Sequence, residues 1–264
     1  MSRLAQERVL LVNDDGINAP GMQLLTRLLE PVCGELWVIA PDSERSGSAH
    51  AISVTVPIRA SEVAPRRIAI QGTPTDCVIL ARRHFMKDDP PTLVVSGINR
   101  GANLGDDVTY SGTTSAALEA TLCGIPAVAL SQIFTFGQDV PWATAERFTV
   151  PMLETLLARD WPTGIYYNVN FPDCGPESVT GLRAARQGQR AAASFVPERR
   201  IDGRDVPYWW ICLDYGPAPD QSGTDLAVVA ENAISVTPLL TDMTCGSTMS
   251  DLADGLPDMI APGR

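Results

Sequence analysis

The sequence is poor in the side chains that most often carry catalysis: Lys87 is its only lysine, and His50 and His84 are its only histidines. Lysine-dependent chemistry therefore has one candidate, and a histidine-built metal cluster has too few ligands. Six cysteines (Cys33, Cys77, Cys123, Cys174, Cys212 and Cys245) occur without a C-x-x-C pair or spaced histidines, which argues against structural zinc. Several lie in apolar stretches and are expected to be buried free thiols. No apolar run approaches the roughly 20 residues of a membrane span, and no signal peptide is visible before the first strand, so a cytoplasmic protein without a membrane partner is expected. Positive charge is also scarce. Twenty basic residues face 31 acidic ones, for a net charge of -11. Such a surface repels duplex nucleic acid and anionic membranes, yet a small phosphorylated ligand remains compatible if a metal supplies local positive charge.

What is present is a chain of 264 residues, 45% hydrophobic, which suffices for a large core. Its first half alternates strand-like and helix-like segments. Strands are expected at Arg8 to Val12, Leu36 to Ala40, Thr92 to Ser96 and Ala127 to Leu130. Ile52 to Ile58 and Arg66 to Ile70 read as a pair of extended segments. Between them, Pro20 to Leu29, Thr75 to Phe85, Thr113 to Leu122 and Trp142 to Ala158 carry helical spacing, with proline or glycine at several ends. This alternation predicts an α/β fold, a Rossmann-like three-layer parallel sheet whose strand ends share one edge. Beyond about residue 160 the pattern loosens into a β-rich extension, with strands at Tyr166 to Asn170, Val179 to Arg186, Tyr208 to Leu213 and Ile234 to Thr237. The arginine-rich stretch from Gly188 to Asp205 reads as a hairpin arm or a mobile loop. The tail after Thr241 is polar and poorly patterned, and Tyr208, Trp209 and Trp210 are expected to pack in a core or an interface.

Asp14 and Asp15 follow the first strand directly and precede Gly16. Adjacent carboxylates at a strand end repel one another and ask for a cation, and strand carboxyl ends are where parallel sheets bind ligands. Three more polar segments follow strands in the same half: Pro41 to Ser48, Ser96 to Asp107, and Val108 to Ser115 at the start of a helix. Carboxylates with hydroxyl and amide oxygens make a hard site suited to Mg2+ or Mn2+, and Ser111-Gly112-Thr113 at a helix start suits an anion such as phosphate. Each piece also has a plain structural reading. Ser111 and Thr113 can cap the helix, Asn99 and Asn103 can be turn residues, and Asp106 can be surface charge. His84 reads as structural; His50 follows the Ser46 loop and reads as within reach of the site, with a general-acid role as the lesser reading.

Taken together, Leu11 to Gly21, Ala40 to Gly47, Gly72 to Cys77 and Ser96 to Thr113 resemble the SurE (survival protein E) family, with a weaker match at Gly223-Thr224-Asp225 and Ile234 to Pro238. The resemblance implies a metal-dependent phosphatase acting on nucleoside 5'-monophosphates, with one divalent ion per subunit held by Asp14, Asp15, Ser46 and Asn99. It further implies that Asn103, Ser111, Gly112 and Thr113 contact phosphate. Asp14 or Asp15 is then the natural base for an attacking water, and direct attack by one of these carboxylates on phosphorus is the alternative route that the sequence leaves open. One α/β unit would span residues 1–264. Residues 160–264 would carry the extension, with an oligomerisation arm near 188–205 in a homodimer or homotetramer. Thr114-Ser115 departs from the small apolar residues usual after the Ser-Gly-Thr turn. Two rivals fit less well. An Asp-x-Asp phosphatase needs a different aspartate spacing, and a phosphoacceptor signalling module needs a later aspartate and a lysine that are absent here.

Overall fold

Val9, Leu10, Leu11 and Val12 are fully buried, as a strand covered on both faces must be. They form β1 (Arg8–Val12), which lies near the middle of a nine-stranded sheet. β2 (Glu35–Pro41) and β5 (Leu93–Arg100) flank it in parallel register. Outside β2 come β4 (Arg67–Ile70), also parallel, and β3 (Ala60–Ala64), antiparallel at the margin. On the other side β6 (Ala127–Gln132) and β7 (Ile165–Phe171) continue the parallel run. β11 (Ala233–Leu240) then pairs antiparallel with β7, and β8 (Gly181–Ala184) closes the sheet parallel to β11. β9 (Phe195–Ile201) and β10 (Pro207–Leu213) form a separate two-stranded antiparallel ribbon. The computed structural model describes residues 2–190, 195–213 and 221–255.

Side chains of successive strand residues leave opposite faces, and two helical layers cover them. Val9 and Leu11 pack with Met22, Leu25 and Leu29 of α1 (Pro20–Leu29) and with Met152, Leu153 and Leu156 of α4 (Trp142–Leu157). Leu10 and Val12 face α2 (Pro74–Leu80) and α3 (Gly112–Leu122), meeting Cys77, Val78, Ala116 and Ala117. Proline opens α1 and α2, and a reciprocal capping box between Thr73 and Asp76 fixes the start of α2. The alanine face of α3 lets that helix lie close over β5 and β6. α5 (Asp225–Ala230) packs on β11, and α6 (Gly246–Gly255) follows.

The α/β fold with its mostly parallel sheet is as expected, with antiparallel pairing only where β3 meets β4 and β11 meets β7. Elsewhere the structure corrects several expectations. Ile52 to Ile58 is irregular, with Val54 and Val56 exposed; the extended partner of β4 is β3 instead. The expected helix through Phe85 changes at Ala81 into a single π turn. Of the two readings of the stretch from Gly188 to Asp205, the structure agrees with the hairpin: residues 195–201 are strand and pair with β10, while 191–194 lie outside the described residues. The tail holds α6, and its residues 256–264 lie outside the described residues too. All six cysteines are free, but only Cys77 is buried. Tyr208, Trp209 and Trp210 are exposed on β10, so they are not core residues. Among the described residues, no helix is long and apolar enough to cross a membrane.

Candidate active site

Chain direction places the carboxyl ends of β1, β2, β5 and β6 along one edge, and the loop after each bends over it. Asp14 and Asp15 leave the end of β1. Gly16 turns the chain with φ +103, and an added Cβ there would press the Ser43 backbone at 3.3 Å. Asn13 secures this turn by donating Nδ2 to the Gly16 carbonyl at 2.8 Å. The Arg45 N–H donates to the Asp14 carbonyl at 2.7 Å, drawing the loop after β2 onto the same edge.

Asp14 is buried against the N-terminus of α3. Its Oδ1 accepts the Thr113 hydroxyl at 2.5 Å, and an added Cβ on Gly112 would lie 2.8 Å from the Asp14 Cβ and from Ser48 Oγ. Burial pushes the Asp14 carboxyl above its ordinary value, opposed by the Thr113 hydroxyl and by the Gly112 and Thr113 N–H groups. Asp15 is half-buried, and its Oδ2 accepts the Arg100 N–H at 3.1 Å. Burial first, and the neighbouring Asp14 charge second, push its pKa to about 7. Among the described residues neither carboxylate takes part in a salt bridge.

Asn99 stands next to Arg100, just past a register shift between β5 and β6. Its Nδ2 donates to the Gly101 carbonyl at 3.1 Å, which turns Oδ1 to the other side. Ser46 is exposed and donates to Glu44 at 3.0 Å. It shares with Asp15, Arg100 and Trp142 the lining of a cleft of about 230 Å3. Ser111 caps α3, its Oγ accepting the Thr114 N–H at 3.1 Å. The structure thus brings Asp14, Gly112 and Thr113 into direct contact, sets Asp15 beside the β5 end that carries Asn99, and opens Asp15 and Ser46 onto one cleft. Asn103 is buried on a different footing, with its side chain donating to Ser131 Oγ at 2.8 Å.

Other candidates fall elsewhere. His50 pairs with Glu119 at 2.9 Å, about two turns along α3 from Gly112. His84 packs edge-on against Phe85. Asp106 is not a free surface charge, since its Oδ2 accepts the Arg190 N–H at 2.8 Å, and the Arg190 guanidinium meets Asp107 at 2.6 Å. The departure at Thr114-Ser115 is absorbed locally: Thr114 Oγ1 donates to the Val108 carbonyl at 2.8 Å and Ser115 Oγ to that of Ser111 at 2.7 Å. Asp225 is a residue that motif reading located without a role. It is buried and accepts the N–H groups of Gly105 and Gly188, both at 2.9 Å, tying the loop before α3 to the C-terminal half. Asn168 and Asn170 on β7 escaped notice; their spacing of two in an otherwise apolar strand was the available signal.

The family model described as "Survival protein SurE" matches residues 9–194. A protein of Parvibaculum lavamentivorans named "5'-nucleotidase SurE" is 46% identical over 97% of this chain and 94% of its own length. One of Brucella suis with the same name is 43% identical over 94% and 98%. The crystal structure of the SurE protein from Aquifex aeolicus superposes with a TM-score of 0.80 at 34% identity, covering 94% of this chain and 98% of that one. With the match running through every loop that builds the edge around Asp14 and Asp15, the chain belongs to the SurE family.

Proposed function

We propose that this protein is a divalent-metal-dependent 5'-nucleotidase that hydrolyses nucleoside 5'-monophosphates to nucleoside and phosphate. The observation that carries the reading is the Asp14–Asp15 pair, two adjacent carboxylates at the end of a central strand, lacking a salt bridge among the described residues and facing a helix N-terminus. Its support from relatives is the activity named for the Parvibaculum and Brucella proteins.

The donor set fits a hard cation. Asp14, Asp15, Ser46 and Asn99 offer only oxygen, which suits Mg2+ or Mn2+ at one ion per subunit. Burial first, and repulsion from Asp14 second, raise the pKa of Asp15, a carboxylate that a cation would relieve, and the Asn99 Nδ2 donates to the Gly101 carbonyl, which leaves its oxygen turned the other way. A bound divalent ion supplies Lewis acidity toward a phosphoryl oxygen. The chain's own groups do the rest. Thr113 and the first N–H groups of α3 hold Asp14 in place, and the Arg100 N–H orients Asp15 toward the cleft. Asn103 and the Ser111-Gly112-Thr113 turn contact the phosphate and stabilise charge that develops on it. Water is the nucleophile, and Asp15, the carboxylate facing the cleft, accepts its proton. A phosphoenzyme trapped at Asp14 or Asp15 would overturn that last assignment.

The test is phosphate release from AMP and GMP. Release is expected with Mn2+ or Mg2+, and its loss is expected with EDTA and in the double variant Asp14→Ala, Asp15→Ala. Phosphate release that survives EDTA, or none from any monoester with any divalent metal, would overturn the proposal. The working form is a homodimer or homotetramer, a reading supported by the exposed apolar residues Trp209, Trp210 and Ile211 on the β9–β10 ribbon.

A further inference from the structure

Asn103 is held by its backbone as well as by its side chain. Its N–H donates to Asn170 Oδ1 at 2.9 Å, and its carbonyl accepts Asn168 Nδ2 at 2.8 Å and Asn170 Nδ2 at 3.0 Å. Ser131 takes the Asn103 amide at 2.8 Å. The pairing register explains how three side chains converge on one residue. Asn168 and Asn170 sit two apart on β7 and so share a face of the sheet, and Ser131 of β6 lies directly opposite Asn170. The small side chain of Ala129 stands opposite Asn168. All of these residues are buried.

A loop can be anchored to a sheet more cheaply than this. Burying an amide costs free energy unless each polar atom is paired. Asn168 bears that cost in part, because its Oδ1 is buried with no hydrogen-bond partner among the described residues while its Nδ2 reaches Asn103. Beside it on β11, Ser235 and Thr237, the register partners of Asn170 and Asn168, also bury hydroxyls without partners among the described residues. Apolar side chains on this face would pack a three-layer core without these costs. Local rules of this kind are broken where function requires it.

We propose that Asn168 and Asn170 are positioning residues for the reaction. They grip the Asn103 peptide from the floor of the sheet and so fix where its side chain meets the phosphate. The inference rests on the nucleotidase reading above and on the phosphate role of Asn103. Holding a substrate-contacting group within a fraction of an ångström is worth about ten- to a hundredfold in rate.

A double-mutant cycle on the full-length, metal-loaded protein tests it. Asn168→Ala is the informative variant, because the Asn103 carbonyl keeps Asn170 as partner and the orphaned Oδ1 is removed, so folding is preserved. In the otherwise unchanged protein it is expected to lower kcat for AMP about tenfold, with the melting temperature and the affinity for Mn2+ unaltered. In an Asn103→Ala background, where the positioned side chain is already missing, it is expected to change kcat little. Asn170→Ala, which frees the Asn103 N–H and removes one of the two donors to its carbonyl, should show the same dependence with a larger loss. Equal losses in both backgrounds, or unchanged kcat in folded Asn168→Ala and Asn170→Ala, would overturn the positioning role and leave the nucleotidase reading intact. An unsubstituted protein that releases no phosphate would overturn both.

Discussion

Replacing Asp15 by asparagine should stabilise the metal-free protein while abolishing its activity. The Asp15 carboxyl titrates near 7 instead of 3.8. Because the folded value lies above the unfolded one, the folded protein keeps a proton between about pH 4 and 7 that the unfolded chain has released. Stability therefore falls as pH rises through that window and stays low above it. At about 1.4 kcal/mol per tenfold of proton affinity, the full displacement corresponds to about 4 kcal/mol at pH 8. Asp15 is only half-buried, and solvent screens part of its repulsion from Asp14, so roughly 2 kcal/mol is the working figure. The substitution removes the charge, and the remaining amide oxygen can still accept the Arg100 N–H. For a chain of this length that gain corresponds to roughly 4–8 °C in melting temperature. The assay is thermal unfolding of both proteins in EDTA from pH 4 to 8. The two curves should coincide near pH 4 and separate as pH rises. Adding Mn2+ at pH 8 should then stabilise the native sequence and not the variant, since only a bound ion returns the lost energy. A gain independent of pH, or none at pH 8, would refute the electrostatic account of this pair.

Two further outcomes follow from the geometry. Gly112→Ala puts a Cβ 2.8 Å from both Asp14 Cβ and Ser48 Oγ; it should cost about 1–3 kcal/mol in stability and weaken Mn2+ binding, measured by calorimetry, whereas wild-type Mn2+ affinity would show that Asp14 can move without consequence. Trp210→Glu on the exposed face of β10 should shift the protein to a smaller species in light scattering, and an unchanged mass would remove the ribbon from the assembly contacts.

How much of this was legible in the sequence depended on whether a residue's partners were local. β1 could be read because four consecutive apolar residues are buried on both faces, and Asp14-Asp15 because like charges at a strand end are anomalous without reference to anything distant. The start of α3 was legible for the same reason, since its Ser111 cap bonds three residues ahead. β9 was not. All seven of its residues are exposed, so no alternation marks a buried face, and its strand character shows only in its pairing with β10. The direction of β11 was hidden too, because an apolar run has the same pattern whichever way it is traversed. Asn168 and Asn170 read as ordinary strand residues because what they bind is the backbone of a loop 65 and 67 positions away.

That difference separates two contributions to the site. The oxygen donors proposed for the ion come from the loops after β1 and β2 and from the end of β5, within the first hundred residues, where the motifs are dense. The groups that fix the next loop come from β7 and from the chain beyond it: Asn168 and Asn170 on Asn103, Asp225 and Gln187 on Gly105, and Arg190 on Asp106 and Asp107. These latter groups act on backbone or on carboxylates already paired, so their chemistry carries no signature in composition or spacing. Their effect is nonetheless direct. The segment from Gly101 to Ser111 joins the end of β5 to the helix that holds Asp14, and it has no regular structure beyond one short 3-10 turn. A segment of that kind keeps a fixed shape only if tertiary partners supply the hydrogen bonds that a helix or strand would otherwise provide. The C-terminal half therefore shapes the proposed phosphate site through geometry, although none of its side chains need touch the substrate.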